Sequence, residues 1–596
     1  MKKYLALILG LCLTVGLGGC ANTPAEKTPE TQPESSNEQF DIVIVGAGGA
    51  GLATAVEAHE QGADNILVLE KMSFAGGSTT MAFGGFNCTN SRFMDEQGKE
   101  ETPVMLVDKI VKNGAGFADV DMAGIIAMET PKVIEWLDGF GSEWGKIRYA
   151  DLHCPTDGTI PGVELVKVLK EQAEKNGIEI RYNSPAVDLI ADESGRVSGV
   201  QVKDASGEYT IDAQAVILAT GGFESNPEMI AKYDNPGLAH IHLAPSQGNM
   251  GDGIVMAEKL GAELRNMDLI QLSCAVAPFS IQMQLPIKNN GVVFINKEGK
   301  RFTNEYSEAS SDRRITEDIL KQTDAECFGV YNETIYQTFM AIEEKDFFDE
   351  YRMTGIDNSG TVVKADTLEE LAEKLGVDQE TFLATMNGLK TDNIGNEEVV
   401  KLADTYKSGP YYAVTLTPGV MDTLGGVLAD TTGRVINKEG KPIKGLYAAG
   451  EVIGNVQGAY YSVGLGEAVV FGRVSARNAI EYIKDRQGLT EHVAFDRGTP
   501  QENNAETAKG NFTDGTFTGE GQGNNGPIKV EVTVKDGSIT EIQVLEQAET
   551  PNIYAGAEEQ FIPELIKTQN LEIDAVGGAT NSSNGLREAV KNALKQ

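Results

Sequence analysis

The feature that most constrains the fold of this chain is a buried strand followed at once by a glycine-rich turn and a helix. Residues 40–45 read FDIVIV, a run typical of a strand covered on both faces of a parallel sheet. Residues 52–61 have the pattern of a helix. Glycines in such a turn permit a sharp bend, the approach of a pyrophosphate, and close packing of helix on strand. The glycines concerned are Gly46, Gly48, Gly49 and Gly51.

The next segment favours the same interpretation. Residues 65–69 predict a second parallel strand, and Glu70 follows directly after it. A carboxylate at this place can accept hydrogen bonds from a ribose diol, while the N-terminus of the preceding helix favours phosphate. Strand, glycines, helix, strand and terminal acid together predict an α/β domain that binds a dinucleotide.

Composition excludes several classes of protein. The 596 residues carry a formal net charge of −38, so the surface repels phosphate backbones and nucleic acid is excluded as a partner. Hydrophobic residues make up 41% and charged residues 23%, proportions that argue against a polytopic membrane protein. No two of the six cysteines form a C-x-x-C pair, so we predict no metal site, iron–sulfur cluster or c-type haem.

The N-terminus is predicted to be an export signal. Two lysines precede the apolar run 4–19, which is too short to span a bilayer comfortably, and the run ends in LGGC with Cys20 last. This resembles the lipobox of bacterial lipoproteins, which implies a signal peptide over 1–19, lipidation of Cys20, and a location on the extracytoplasmic face of the cell membrane. A plain secretory signal is the alternative. The polar segment 20–39 is predicted to be a disordered tether.

Several ordered motifs resemble the flavoproteins of the fumarate reductase and succinate dehydrogenase family. They are KMSFAGGST at 71–79, AFGG at 82–85, AVILATGGF at 215–223, GDG at 251–253, GKRFTNE at 299–305 and GLYAAGEV at 445–452. The resemblance implies non-covalent FAD, with Glu451 bonded to the flavin ribitol. It implies these further cofactor-binding residues: Lys71, Gly77, Ser78, Thr79, Gly84, Gly85, Ala186, Val187, Thr220, Gly221, Asp252, Gly466, Ala468 and Val469.

The resemblance also implies a domain plan and a fold class. A Rossmann-type α/β domain that binds FAD is expected over 40–269 and 421–485. Between its two parts we expect an α+β capping domain at 270–420, which closes over the substrate. A linker at 486–512 and a small α+β domain at 513–596 complete the chain.

Most positions at which this family holds two carboxylates carry other residues here. Flanking motifs assign the substrate site to Ser273, Gln284, Leu285, Lys288, Asp422 and Tyr461. At most one of these is a cation, whereas fumarate needs several, so we expect a different substrate. Arg313 is expected to be the proton donor. Alternatively, Arg313 and Arg314 form salt bridges on a helix surface, and Asp312 is a relay partner or a helix N-cap.

The C-terminal segment resembles a small FMN-binding domain of respiratory flavoproteins. Alternating residues at 528–534 and 539–545 flank Asp536-Gly537 and predict a β-hairpin, and 585–594 predicts a final helix. The stretch DAVGGATNSS at 574–583 carries the diagnostic motif. The resemblance implies FMN joined to Thr580 through a phosphodiester by a flavin transferase.

These features together predict a lipid-anchored respiratory reductase. Hydride would pass from FAD to an activated double bond, most plausibly of an α,β-unsaturated monocarboxylate of the urocanate or cinnamate kind. FMN would relay electrons from a quinone-linked or flavoprotein donor in the membrane to FAD, which would reduce a small-molecule acceptor. Three alternatives stay open: an electron carrier without an organic substrate, a sulfoxide reductase, and a ketosteroid dehydrogenase with catalytic Tyr461.

Overall fold

The structure is a computed structural model that describes most of the chain after the predicted signal and tether. The export signal and Cys20 lie outside the described residues, as do Gln284, Lys288 and Tyr461. Within the described part, no helix combines the length and apolar character that crossing a membrane requires. The described residues are 34–148, 151–234, 236–240, 246–277, 285, 289–306, 309–341, 347–460, 463–490, 510–523, 526–547, 549, 551–571, 573 and 580–595.

The strands and helices are numbered in chain order. The strands are β1 (Glu34–Val45), β2 (Ile66–Leu69), β3 (Phe86–Asn87), β4 (Lys146–Arg148), β5 (Leu152–Cys154), β6 (Glu179–Arg181), β7 (Ala186–Ala191), β8 (Val197–Asp204), β9 (Gly207–Leu218), β10 (Leu264–Arg265), β11 (Ile270–Val276), β12 (Val293–Ile295), β13 (Cys327–Asn332), β14 (Val363–Ala365), β15 (Tyr411–Thr423), β16 (Gly426–Val427), β17 (Arg434–Ile436), β18 (Pro442–Ala448), β19 (Gly515–Gln522), β20 (Pro527–Lys535) and β21 (Ser538–Glu546). The helices are α1 (Gly49–Glu60), α2 (Arg92–Gln97), α3 (Pro103–Gly114), α4 (Val120–Gly139), α5 (Pro161–Lys175), α6 (Pro227–Tyr233), α7 (Asp252–Lys259), α8 (Ala309–Leu320), α9 (Glu333–Met340), α10 (Phe347–Asn358), α11 (Leu368–Leu375), α12 (Gln379–Asn387), α13 (Glu397–Leu402), α14 (Gly464–Arg486), α15 (Pro551–Thr568) and α16 (Thr580–Leu594).

A parallel sheet with the order β6-β2-β1-β9-β18 forms the centre of the first domain. The predicted strand at 40–45 is confirmed as part of β1, where Ile42 and Ile44 are fully buried. Helix α1 begins at Gly49, three residues before the predicted helix, because the glycine turn is short. The Rossmann-type α/β fold is thereby confirmed.

The N-terminal end of this sheet differs from the sequence-based expectation. The predicted tether included residues up to 39, whereas β1 begins at Glu34 and pairs with β9 from that residue onward. Glu38 lies almost fully buried and accepts a 2.6 Å hydrogen bond from Nη1 of Arg181. Strand pairing of this polar stretch uses backbone groups, which leave no hydrophobic pattern in the sequence.

A second hydrophobic core lies between residues 274 and 416, around the sheet order β11-β15-β13-β12 with β14 beside β15. The GKRFTNE segment contributes a buried ion pair to it. Arg301 donates to both carboxylate oxygens of Glu305 at 2.8 and 2.7 Å, and its Nη1 donates to Asp392 at 2.6 Å. This motif therefore has a structural role in the second core.

The C-terminal domain packs the sheet β19-β20-β21 against α15 and α16. The predicted hairpin is confirmed, since Asp536 and Gly537 both have positive φ, as a tight turn of the mirror-image type requires. Helix α16 begins at Thr580, five residues before the predicted start. A Cβ on Gly519 would lie 2.1 Å from the carbonyl oxygen of Ala589, so this glycine allows the helix to contact the strand.

The predicted linker at 486–512 is partly attached to the first domain. Helix α14 ends at Arg486, and Thr490 then donates from its backbone N and its hydroxyl to the two carboxylate oxygens of Asp41, each at 2.8 Å. The described chain resumes at Gly510, so residues 491–509 lie outside the described part.

Candidate active site

A cavity open to solvent, with about 1080 Å³ of empty space when that open part is included, lies at the carboxyl ends of the parallel strands. Open α/β sheets bind their ligands at this edge, outside the strand ends. The wall contains the glycine turn after β1, the end of β2, the turn after β9, the segment after β18 and the beginning of α14.

One end of the cavity is built around Glu70. Its Oε2 accepts from the backbone N of Ala47 and its Oε1 from the backbone N of Met72, each at 2.8 Å. Burial raises the pKa of Glu70, and the two N–H donors oppose that rise. These bonds fix the carboxylate at the cavity wall, where its predicted ribose contact stays a prediction.

The glycine turn shows why side chains are excluded from it. A Cβ on Gly46 would lie 2.3 Å from the carbonyl oxygen of Ala219, and one on Gly51 would lie 1.8 Å from the carbonyl oxygen of Gly46. The backbone N of Gly49 donates to the hydroxyl of Thr79 at 3.1 Å. The turn is therefore packed tightly from behind while its open side faces the cavity.

Two further features fit a dinucleotide such as FAD. Lys71 and Asp252 form an ion pair at the wall. Thr220 lines the cavity, and its buried hydroxyl has no hydrogen-bond partner among the described residues. A buried hydroxyl of this kind requires a partner, which a bound ligand supplies. The cradle of glycines and this orphaned hydroxyl fit the cofactor.

Most of the predicted cofactor residues meet at this cavity. Those that line it are Gly46, Gly48, Gly49, Glu70, Lys71, Gly77, Ser78, Thr79, Ala186, Thr220, Gly221, Asp252, Glu451 and Ala468, and Asp422 joins them. Those that lie behind it or beside it are Gly51, Gly84, Gly85, Val187, Gly466 and Val469. Val469, for example, is fully buried in the core, and Val187 is 37% exposed.

The inner wall is strongly acidic. Burial raises the pKa of Asp422 well above its usual range, and the charge of Glu451 raises it further. Burial also raises the pKa of Glu451, and it raises that of Glu467 to about 8. Glu467 accepts a 2.6 Å hydrogen bond from the amide of Gln457. At neutral pH Glu467 is therefore largely a carboxylic acid, and burial shifts Asp422 and Glu451 toward the protonated form as well.

Sequence reasoning missed four polar residues of this region: Glu224, Asn249, Gln457 and Glu467. Glu224 directly follows the ATGGF motif, and Glu467 lies in the first turn of α14. An acidic residue next to a cofactor motif is a sequence signal that could have identified Glu224 and Glu467. Nothing local marks Asn249 or Gln457.

The remaining predicted catalytic and substrate residues are dispersed. Ser273 is buried in β11 opposite Gly419, and Leu285 lies in the second hydrophobic core. Arg313 donates to both carboxylate oxygens of Asp234 at 2.8 and 2.7 Å and to the carbonyl oxygen of Ile270 at 2.9 Å. Neither Leu285 nor Arg313 is among the described residues of the cavity wall, and the proton-donor role of Arg313 stays a prediction.

Fold and cavity define a flavoprotein oxidoreductase with two domains for flavin. A model of the FAD binding domain matches residues 41–466, and a model of the FMN-binding domain matches residues 523–595. The chain is 30% identical over 462 residues to the fumarate reductase (cytochrome) of Shewanella frigidimarina, covering 75% of this chain and 78% of that protein. It belongs to the fumarate reductase-type flavoproteins with an FMN-binding domain.

Two more comparisons agree with this assignment. The chain is 33% identical over 484 residues to the urocanate reductase of Eggerthella lenta, covering 76% of this chain and 77% of that one. The open conformation of a flavocytochrome c3 fumarate reductase superposes with a TM-score of 0.67 at 28% identity, over 75% of this chain and 79% of that one. The protein is thus an FAD-dependent oxidoreductase acting on CH–CH groups, and its cofactors are FAD and covalently attached FMN.

Proposed function

We propose that this enzyme reduces the activated double bond of an α,β-unsaturated monocarboxylate, of the urocanate or cinnamate kind, rather than fumarate. The lack of an unpaired Lys or Arg among the described residues of the cavity wall is the observation that carries the proposal. Asp422, Glu451 and Glu467 face the cavity, while the amine of Lys71 at the wall is engaged by Asp252. Two substrate carboxylates require cations that are free to pair with them, whereas one makes a smaller demand.

Asp422 is the residue we assign to the substrate. FAD, when bound, supplies the hydride. Asp422 lines the cavity at the end of β15, and burial raises its pKa and so favours its protonated form. A neutral carboxylic acid donates an O–H hydrogen bond to a substrate oxygen, which an ionised carboxylate would repel. Lys288, Ser273 and Gln284 remain our candidates for the single substrate carboxylate.

The FMN-binding domain is proposed to relay electrons to FAD. Phe74 lies in the segment 71–79, several residues of which line the FAD cavity, and it packs against the hydrophobic core of the C-terminal domain. This contact supports a short path between the two flavins. We further propose FMN attachment at Thr580 by a flavin transferase, a lipid anchor at Cys20, and an electron donor in the same membrane.

A screen of electron acceptors tests the substrate assignment. With dithionite-reduced methyl viologen as donor, we expect urocanate, cinnamate or a related monocarboxylate to be reduced faster than fumarate. Fumarate reduction as fast as that of every monocarboxylate tested would contradict the proposal.

Variants of Asp422 test its role through the pH profile. Asp422→Ala removes the donor and is expected to lower kcat/KM about 100-fold, the scale of one lost donor at a reacting oxygen. Asp422→Asn keeps an N–H donor and should retain most of the activity. In the unsubstituted enzyme activity is present while Asp422 is protonated and falls as pH rises through its raised pKa. Asp422→Asn should lose that alkaline fall, and an unchanged profile would assign the donor elsewhere.

A further inference from the structure

Glu224 is a buried acid for which the cofactor and substrate roles above leave no task. It lies in the turn after β9 and is 4% exposed. Its Oε1 accepts from the amide of Asn249 at 2.5 Å and from the hydroxyl of Ser78 at 3.2 Å. Its Oε2 is buried and has no hydrogen-bond donor among the described residues.

The carboxyl group of Glu451 stands beside this orphaned oxygen. A Cβ on Gly222 would lie 2.5 Å from Oε1 of Glu451 and 2.9 Å from Oε2 of Glu224, so both oxygens flank the same glycine. Glu451 accepts from the backbone N of Thr423 at 3.1 Å and from its hydroxyl at 3.3 Å. Asn249 also donates to Glu451, at 3.3 Å, so one amide serves both acids.

The charges around the two acids do not compensate them. Among the described residues, the charge of Asp422 from β15 acts on Glu224, and the charge of Glu451 acts on Asp422 and on Glu467 from α14, so the neighbouring titratable groups are themselves acidic. The amine of Lys71 at the wall is paired with Asp252. Burial raises the pKa of Glu224 well above its usual range, and the charges of Glu451 and Asp422 add to that rise. Two buried carboxylates that flank one glycine oppose each other's ionisation, so the pair favours a state that holds a proton.

We propose that Glu224 is a positioning residue for FAD, which it serves by sharing one proton with Glu451. The shared proton gives Oε2 of Glu224 the partner it lacks and holds Glu451 at the cavity wall. Without the proton the two carboxylates repel, Glu451 leaves its position, and FAD is held less firmly. This inference concerns the cofactor and does not rest on the identity of the substrate.

The affinity for FAD is expected to depend on pH, because FAD binding and protonation of the Glu224–Glu451 pair favour each other. Glu451 is the partly exposed member of the pair at the cavity wall, and FAD would remove water from it, so the bound state favours the proton more than the FAD-free state does. Affinity is therefore full at low pH and falls as pH rises through the titration of the pair, by up to tenfold per pH unit for one proton. Glu224→Gln donates to Glu451 from an amide that needs no proton, so this fall should disappear.

Titration calorimetry of FAD into the full chain, stripped of its non-covalent FAD, tests the inference between pH 6 and pH 9. The dissociation constant of the unsubstituted protein should rise with pH relative to that of Glu224→Gln. Titration of Asp422 and Glu467 affects both proteins and largely cancels in this ratio. Glu164→Gln is the matched control. Glu164 is a buried acid whose carboxylate accepts a 2.8 Å hydrogen bond from the hydroxyl of Ser142, and it is not among the described residues of the cavity wall. It should behave as the unsubstituted protein does.

The inference would be overturned if the dissociation constant of FAD changed with pH in the same way in the unsubstituted protein and in Glu224→Gln. If Glu224→Gln fails to fold, a proton count on the unsubstituted protein still tests the inference. Calorimetry in two buffers of different ionisation enthalpy counts the protons taken up with FAD. We expect proton uptake with FAD in the pH range where the pair titrates, and no uptake at any pH would refute a shared proton. No substrate enters these measurements, so an error in the proposed reaction leaves their outcome unaffected.

Discussion

Thr580→Val should give a folded enzyme that carries no covalent FMN. Valine keeps the branched shape of threonine but lacks the hydroxyl that a phosphodiester requires. Thr580 is the first residue of α16, and the N-terminus of a helix favours phosphate through its free N–H groups and its dipole. Mass spectrometry of the C-terminal peptide, after maturation with the flavin transferase, should therefore show the FMN increment in the unsubstituted chain and none in Thr580→Val.

The same variant separates the two flavins functionally. Electron delivery from a membrane donor should be abolished, while FAD content and substrate binding should be retained. Thr540→Val is the matched control, because Thr540 lies in β21 of the same domain and its hydroxyl donates to the carbonyl oxygen of Thr533 at 3.2 Å. An FMN increment that persists in Thr580→Val would place the attachment at another residue.

Gly51→Ala should lose FAD and unfold more easily. In an open helix alanine is favoured over glycine by about 1 kcal/mol. At Gly51 the new Cβ would stand 1.8 Å from the carbonyl oxygen of Gly46, so the glycine turn or α1 must move. Such overpacking typically costs about 1–3 kcal/mol, which outweighs the gain. Because the displaced turn is the cavity wall, we expect FAD content well below one per chain.

Gly124→Ala provides the comparison for this variant. Gly124 lies within α4, and a Cβ there would meet nothing within 4 Å. The same substitution should therefore stabilise the protein slightly and leave FAD content unchanged. Thermal unfolding and flavin absorbance of the two variants measure both effects. Equal flavin loss in both would contradict the steric explanation.

The nucleotide fold and much of the cofactor site could be predicted from the sequence because their signals are local. A buried run, a glycine turn and Glu70 follow one another within about thirty residues, so chain connectivity alone brings them together. The early start of β1 could not be predicted. Its first residues are polar, and they pair with β9, which is far away in the sequence.

The acidic wall illustrates what local patterns cannot supply. Asn249 donates to Glu224 and to Glu451, which is 202 residues away in the chain. Only the fold places these residues together, and only their burial makes their ionisation unusual. Leu285 shows that a local pattern can also suggest a contact that the described fold does not show. Alignment on flanking motifs assigns Leu285 to the substrate site, whereas its apolar side chain is buried in the second core.

Because β1 begins as early as Glu34, a lipid anchor at Cys20 would limit how far the flavin domains can lie from the membrane. With the proposed lipid on Cys20, residues 21–33 lie between the membrane anchor and the first residue of β1, Glu34. Fully extended, such a segment spans roughly 45 Å. The catalytic unit would then stay within this distance of the bilayer surface. Lipid-soluble reductants would be close to it, whereas acceptors would have to diffuse in from the surrounding solvent.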